Sequence, residues 1–246
     1  REPFFIHVFN TKRNIANQQV WWDKVNKESV FFWWLSLWVQ LRAKKEKYEE
    51  VFHFIWNAYA LNILYICSVS QTGKNIKQAK EFLEKGELVA IPTETVYGLA
   101  ANALDAVAAA KIFEAKERPT FDPLIVHTHS LSQVHEFVTE IHPLLLKLAQ
   151  AFWPGPLTLL LPKKEIIPNL VTSGLNRVWV RVPNHAMTLE LLKQLSFPLA
   201  APSANPFGYI SPTSATHVEK QLGNKISYIL DGGHCDVGLE STIVGE

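Results

Sequence analysis

The sequence predicts an α/β fold, and three observations point to it. From Gly73 onward, short apolar runs of strand length alternate with segments of helical period, and Pro or Gly stands in the turns between them. With 246 residues, 48% of them hydrophobic, the chain can bury a substantial core. The run at 124–126 is continuously apolar, as in a strand covered on both faces.

Taken in order, Ile76, Ala79, Phe82 and Leu83 share one face of a helix that Gly86 can end. A buried strand over 88–91 and a loop over 92–99 follow. Asp105 can cap a helix running to Ala115, and 123–128 is a second buried strand. The pattern then predicts a helix at 143–152, strands at 157–161 and 178–182, a helix at 186–195 and a strand at 198–201. A helix at 213–222 and strands at 228–230 and 241–244 close the domain.

The front of the chain differs in composition. The first glycine is Gly73, and every proline except Pro3 lies at Pro92 or later. Six of the eight tryptophans and nine Lys+Arg against six Asp+Glu lie before residue 73. A helical pair at 23–48 and 49–67, with its Trp/Phe cluster as a docking or membrane-surface face, is one expectation. Translated upstream sequence or a fragment boundary is the other, since the chain opens on Arg1 and its only methionine is Met187. The expected division is therefore an extension at 1–72 and a functional domain at 73–246.

Charge and cysteine content exclude several classes. A formal net charge of +1 provides no global field for a polyanion. From residue 73 onward there are fifteen Lys+Arg against seventeen Asp+Glu, so RNA binding would need strong segregation of charge. Two cysteines, Cys67 and Cys235, make no disulfide framework and fit a reducing, cytoplasmic compartment. The longest apolar stretches run to about ten residues, against the ~20 of a membrane span.

Some familiar chemistries fail on spacing. Gly73-Lys74 lacks the upstream glycine of a P-loop, and Asn75 replaces its hydroxyl, so a helix start is expected. His127, His129, His135 and His142 form no H-E-x-x-H pattern and have no supporting cysteines. His234-Cys235-Asp236 follows Gly232-Gly233 and is expected to be a surface turn. Four polar loops at strand or helix ends remain, where open α/β sheets bind ligands. They are 92–99 with Thr93, Glu94, Thr95 and Tyr97, 116–119 with Lys116 and Arg118, 202–206 with Ser203 and Asn205, and 239–244 with Glu240 and Ser241. An extended 202–206 would point Ser203 and Asn205 the same way. Taken singly, each loop also has a purely structural reading.

Together and in order, these stretches resemble the YrdC-like family of threonylcarbamoyl-AMP synthases. The resemblance covers essentially all of residues 74–246. It rests on PTETVYGL at 92–99, the KxR pair Lys116 and Arg118 with PLIVH at 123–127, WPGPLT at 153–158, VRVP at 180–183, the SxN pair Ser203 and Asn205, and STIV at 241–244. It implies a YrdC-like open twisted mixed sheet with flanking helices and a concave active-site cleft. It also implies a reaction joining L-threonine, bicarbonate or CO2, and ATP into threonylcarbamoyl-AMP, which downstream transfer proteins place on tRNA.

By that resemblance Lys116, Arg118, Ser203 and Asn205 are the catalytic set, with the two cations holding the triphosphate and Mg2+ bridging its oxygens. Thr95, His127, Arg181, Ser203 and Ser241 would contact threonine, Arg181 through its carboxylate. A surface or interdomain ion pair is the alternative for Arg181, backbone pairing the alternative for His127, and Tyr97 would wall the pocket. Lys116, Arg118, Asp122, Arg177, Asn205 and Thr213 would lie toward ATP. Asp122 stands where the family has asparagine and would repel phosphates unless a metal or Lys116 intervened. The family continues past STIV into a segment with another nucleotide-binding arginine, so the domain is expected to be C-terminally truncated. Two other functions are set beside this one: a carbamoyl-adenylate-forming unit of hydrogenase maturation, and a non-catalytic module binding double-stranded RNA.

Overall fold

Caps and apolar periodicity set the elements of this computed structural model, which describes residues 70–245. The helical pair expected at 23–48 and 49–67 lies outside them. In chain order the elements are β1 (Gln71–Gly73), α1 (Ile76–Glu84), β2 (Val89–Ile91), β3 (Gly98–Asn102), α2 (Ala106–Lys116), β4 (Ile125–His127), α3 (Leu131–Phe137) and α4 (Pro143–Phe152). Then come β5 (Leu157–Pro162), β6 (Arg177–Arg181), α5 (Ala186–Gln194), β7 (Leu199–Ala200), α6 (Ala215–Leu222), β8 (Tyr228–Leu230) and β9 (Thr242–Val244).

The helices begin where side chains can satisfy orphan amides. Asn75 accepts from the amides of Lys77 and Gln78, Ser130 from Gln133 and Ser214 from His217, while Pro143 opens α4 at a position that needs no amide. Gly86, with φ of +71°, turns the chain just past α1. Asp105 caps α2 by accepting from the Val107 amide at 2.8 Å. Asp105→Ala is expected to cost about 1 kcal/mol, read from urea unfolding.

All nine strands join one sheet in the order β1-β8-β2-β3-β7-β4-β6-β5-β9. It is mixed: β1/β8, β2/β8, β4/β6 and β5/β9 are parallel, and the other neighbours are antiparallel. Strand alternation splits the core between the two faces. Ala79, Leu83, Val89, Ile91, Leu191 and Leu192 pack on one face with α1 and α5. Ala90, Leu99, Ile112, Phe137, Leu159, Val180 and Val218 belong to the larger cluster, with α2, α3, α4 and α6. The expected mixed sheet with helices on its flanks is thus present.

Three elements were not foreseen. β3 begins inside the expected 92–99 loop; its sequence GLAAN holds no β-branched residue, and its pairing comes from β2 and β7 on either side. β1 ends at Gly73, just before the expected helix start, which Asn75 caps; it forms because Gln71, Thr72 and Gly73 pair in parallel with β8. α3 is seven residues long, too short to show a clear period.

Candidate active site

Register places the first side chains. In the parallel pair β4/β6, Ile125 lies opposite Trp179 and His127 opposite Arg181. A spacing of two puts all four on one face, and all four line a cavity of about 170 Å³. Thr93 and Thr95 from the β2–β3 loop, Arg118 from beyond α2, Ser203 from beyond β7, and Glu240 and Ser241 from the lead-in to β9 complete the polar wall.

Arg181 is buried, and three groups orient its guanidinium. Its Nε donates to the Gly155 carbonyl at 3.2 Å and its Nη1 to Thr95 Oγ1 at 2.9 Å. Its Nη2 lies 2.8 Å from Glu94 Oε1, a close ion pair without hydrogen-bond alignment, and both side chains are under 10% exposed. Arg181 thus makes an ion pair, but one that lies in the interior beside the cavity and not at the surface or between domains. Gly155 can serve as the clamp because it has no side chain: a Cβ there would lie 2.3 Å from the Phe152 carbonyl oxygen. Thr93 holds Thr95 in turn, with their hydroxyls 2.9 Å apart.

His127 Nδ1 lies 3.3 Å from the Ile125 carbonyl, which can only accept, so that nitrogen carries the proton and Nε2 is left as an acceptor. Burial, then the Arg181 charge, pushes the imidazole pKa down to about 3, and the ring is neutral. The unfolded chain takes up a proton near 6.5 that the folded ring refuses until about pH 3. The unfolded state thus binds more protons across that window, and stability falls as pH drops through it. His127→Gln is expected to flatten that slope, measured by urea unfolding at about pH 7 and about pH 4.5.

Arg118 faces the cavity but is held from its own loop. Its Nη2 pairs with Asp122 at 2.8 Å, and Nε and Nη2 donate to the carbonyls of Asp122 and Pro123. The side chain that meets Asp122 is therefore Arg118 and not Lys116. Lys116 is 1% exposed, does not line the cavity, and donates to the carbonyls of Ser203 and Asn205. Burial first, then Arg118, pushes its ammonium down to about 7. The chain bends at Ala204 and Asn205 and is not extended there, and of the two side chains only Ser203 lines the cavity. Asn205 Nδ2 donates to the carbonyls of Pro206 and Tyr209, while its Oδ1 is buried without a hydrogen bond.

The structure thus brings Thr95, Arg118, His127, Arg181, Ser203 and Ser241 to one cavity and sets Lys116, Asn205 and Asp122 directly behind its lining. It does not bring Arg177 or Thr213 there. Arg177 sits opposite Pro162 at the far end of β6, about 13 Å along the strand from Arg181. The Thr213 hydroxyl lies 3.3 Å from His217 Nδ1. Sequence reasoning missed Trp179 and Thr158. Stepping back two positions from Arg181 would have found Trp179. Thr158 holds Ser241, their hydroxyls 2.7 Å apart between β5 and the lead-in to β9, far apart in sequence, a contact no local pattern announces.

Two further expectations are corrected. Tyr97 does not wall the cavity; its hydroxyl donates to the Gly233 carbonyl at 2.7 Å and accepts from the Gly232 amide, and burial pushes its pKa up to about 12. The stretch around Cys235 is more than a surface turn: it straps down the 92–99 loop. Its Val237 and Gly238 amides donate to the carbonyls of Glu94 and Thr95, and the Cys235 amide donates to Thr213. Among the described residues no group of three or more His, Cys, Asp or Glu could hold a metal, and no helix is long and apolar enough to cross a membrane.

Comparison with known proteins agrees with this arrangement. The Sua5/YciO/YrdC family model, described as "Telomere recombination", matches residues 81–245. The chain is 51% identical over 169 residues to the threonylcarbamoyl-AMP synthase of Pyrococcus abyssi, covering 69% of this chain and 50% of the relative. It is 45% identical over 177 residues to that of Bacillus subtilis, covering 72% and 51%. Its fold is similar to the crystal structure of P. abyssi Sua5 complexed with L-threonine, with a TM-score of 0.69 and 47% identity over 72% of this chain and 54% of that one. The chain spans about half the length of these relatives.

Proposed function

This chain belongs to the Sua5/YciO/YrdC family, and we propose that it acts as an L-threonylcarbamoyladenylate synthase, a nucleotidyltransferase that joins L-threonine, CO2 or bicarbonate, and ATP with release of pyrophosphate. The carrying observation is the convergence of Thr95, His127, Arg181, Ser203 and Ser241 on one small cavity from five separate stretches of chain. About 170 Å³ suits a small amino acid, since a cavity of about 150 Å³ accepts benzene. A nucleotide is far larger, so ATP would extend out of the cavity, with its phosphates toward Arg118.

Arg181 uses its Nε N–H and one Nη1 N–H in holding its place and sets Nη2 beside Glu94 as an ion pair, which leaves the second Nη1 N–H and the Nη2 donors for the threonine carboxylate. The hydroxyls of Thr95, Ser203 and Ser241, with the neutral His127, would orient the rest of the amino acid. The amine attacks CO2, a carbamate oxygen attacks the α-phosphorus, and pyrophosphate leaves. That is chiefly a matter of positioning and charge neutralisation. Arg118 would exchange Asp122 for phosphate oxygens, and Lys116 would hold the Ser203–Asn205 turn at the reacting centre. Since no carboxylate cage is present among the described residues, Mg2+ would arrive on the ATP phosphates as part of the substrate. The product would feed proteins that transfer the threonylcarbamoyl group to tRNA in the cytoplasm.

The test supplies threonine, bicarbonate, ATP and magnesium and follows pyrophosphate. Release that requires threonine is expected, and release at the same rate without it would overturn the proposal. Turnover of carbamoyl phosphate with no amino acid would favour the hydrogenase-maturation chemistry instead.

A further inference from the structure

Threonine in water carries an ammonium, which has no lone pair with which to attack CO2. One proton must leave it inside the cavity, and the ionisable lining groups are Arg118, His127, Arg181 and Glu240. Two are guanidiniums, which do not act as bases. His127 already carries its proton on Nδ1, and the adjacent Arg181 charge and burial disfavour a second. Glu94 and Asp122 are each held by an arginine and do not line the cavity. Lys116 turns its nitrogen to the carbonyls of Ser203 and Asn205.

Resting on the synthase proposal, we infer that Glu240 is the base that takes the proton from the amino acid's ammonium. Its position suits a base, for it precedes Ser241 in the cavity wall, and Ser211 Oγ donates to its Oε1 and so fixes the carboxylate. It is exposed and can pass the proton on to water. The ammonium N–H bond breaks, Glu240 gains the proton, and the freed lone pair forms the N–C bond to CO2. The second nitrogen proton is lost as the carbamate forms and leaves by the same carboxylate once it has emptied to solvent.

Glu240→Gln removes the base and keeps the shape. Its threonine kcat/KM near neutral pH is expected to fall about a hundredfold. The deficit should shrink as pH rises and free threonine arrives already deprotonated. Ser211→Ala, which loses the hydrogen bond but keeps the carboxylate, should lose much less. A Glu240→Gln deficit that is absent, or that is constant with pH and matched by Ser211→Ala, would overturn the inference and leave Glu240 as a loop latch. Wild-type chain without threonine-dependent pyrophosphate would instead count against the synthase proposal itself. Carbamate formation from threonine and 13C-labelled CO2, read by NMR without ATP, separates the two: wild type should accelerate it, and Glu240→Gln should not.

Discussion

Glu94→Ala is expected to lower the free energy of unfolding by about 3–5 kcal/mol, because it leaves the Arg181 guanidinium buried without its counter-charge. Both partners are less than 10% exposed, so water does little to screen the pair. The bonds from Arg181 to Gly155 and Thr95 remain, which places the expected loss nearer the lower end of that range. Arg181→Met made alone strands the carboxylate and should cost a similar amount. The double variant Glu94→Ala/Arg181→Met should recover most of the loss, since replacing a whole buried pair by apolar groups is often nearly neutral. Urea unfolding of the four proteins forms the cycle, and additive losses would contradict a buried pair. The double variant should fold yet lose its grip on threonine, because nothing replaces the planar fork of donors.

Lys116→Ala is expected to lower threonine-dependent turnover by about 10², the usual consequence of letting a positioned group, here the Ser203–Asn205 turn that Lys116 holds, shift by about 1 Å at a reacting centre. It should also destabilise the fold by about 1–3 kcal/mol for each buried carbonyl, of Ser203 or Asn205, left without a partner. Circular dichroism and denaturant unfolding separate the two effects. An RNA-binding module would show no loss of turnover, only a salt-dependent fall in affinity. The sign of the pH effect follows from the depressed pKa. Between about 7 and 10.5 the unfolded chain holds a proton that folded Lys116 has released, so this group's contribution to stability grows with pH across that window and is lost as pH falls to about 7. Turnover that needs the charged ammonium moves the opposite way and declines as pH rises above about 7. Lys116→Ala should remove the stability slope.

Much of this molecule is legible in its sequence. The helix over 143–152 matches α4 to the residue, because Pro143 marks its start and its apolar period runs uninterrupted. The strand at 228–230 also matches, as a short apolar run between turn residues. β3 was illegible because glycine and alanine carry no strand preference, and only its neighbours make it a strand. At the site, the motif wording named the groups that line the cavity but not what each one touches. Arg181 reads the same in sequence whether it meets Glu94 or solvent, and Lys116 gives no sign that its charge is spent on two main-chain carbonyls.

What the chain alone determined was therefore the alternation of strands and helices, the order of the polar loops and the chemical groups they offer. These follow from period, capping and turn chemistry, which act over a few residues. The fold decided which groups share a cavity, which carboxylate neutralises which arginine, and how burial moves the protons of His127 and Lys116. Those properties depend on distances between atoms far apart along the backbone, and on the water that packing excludes from between them.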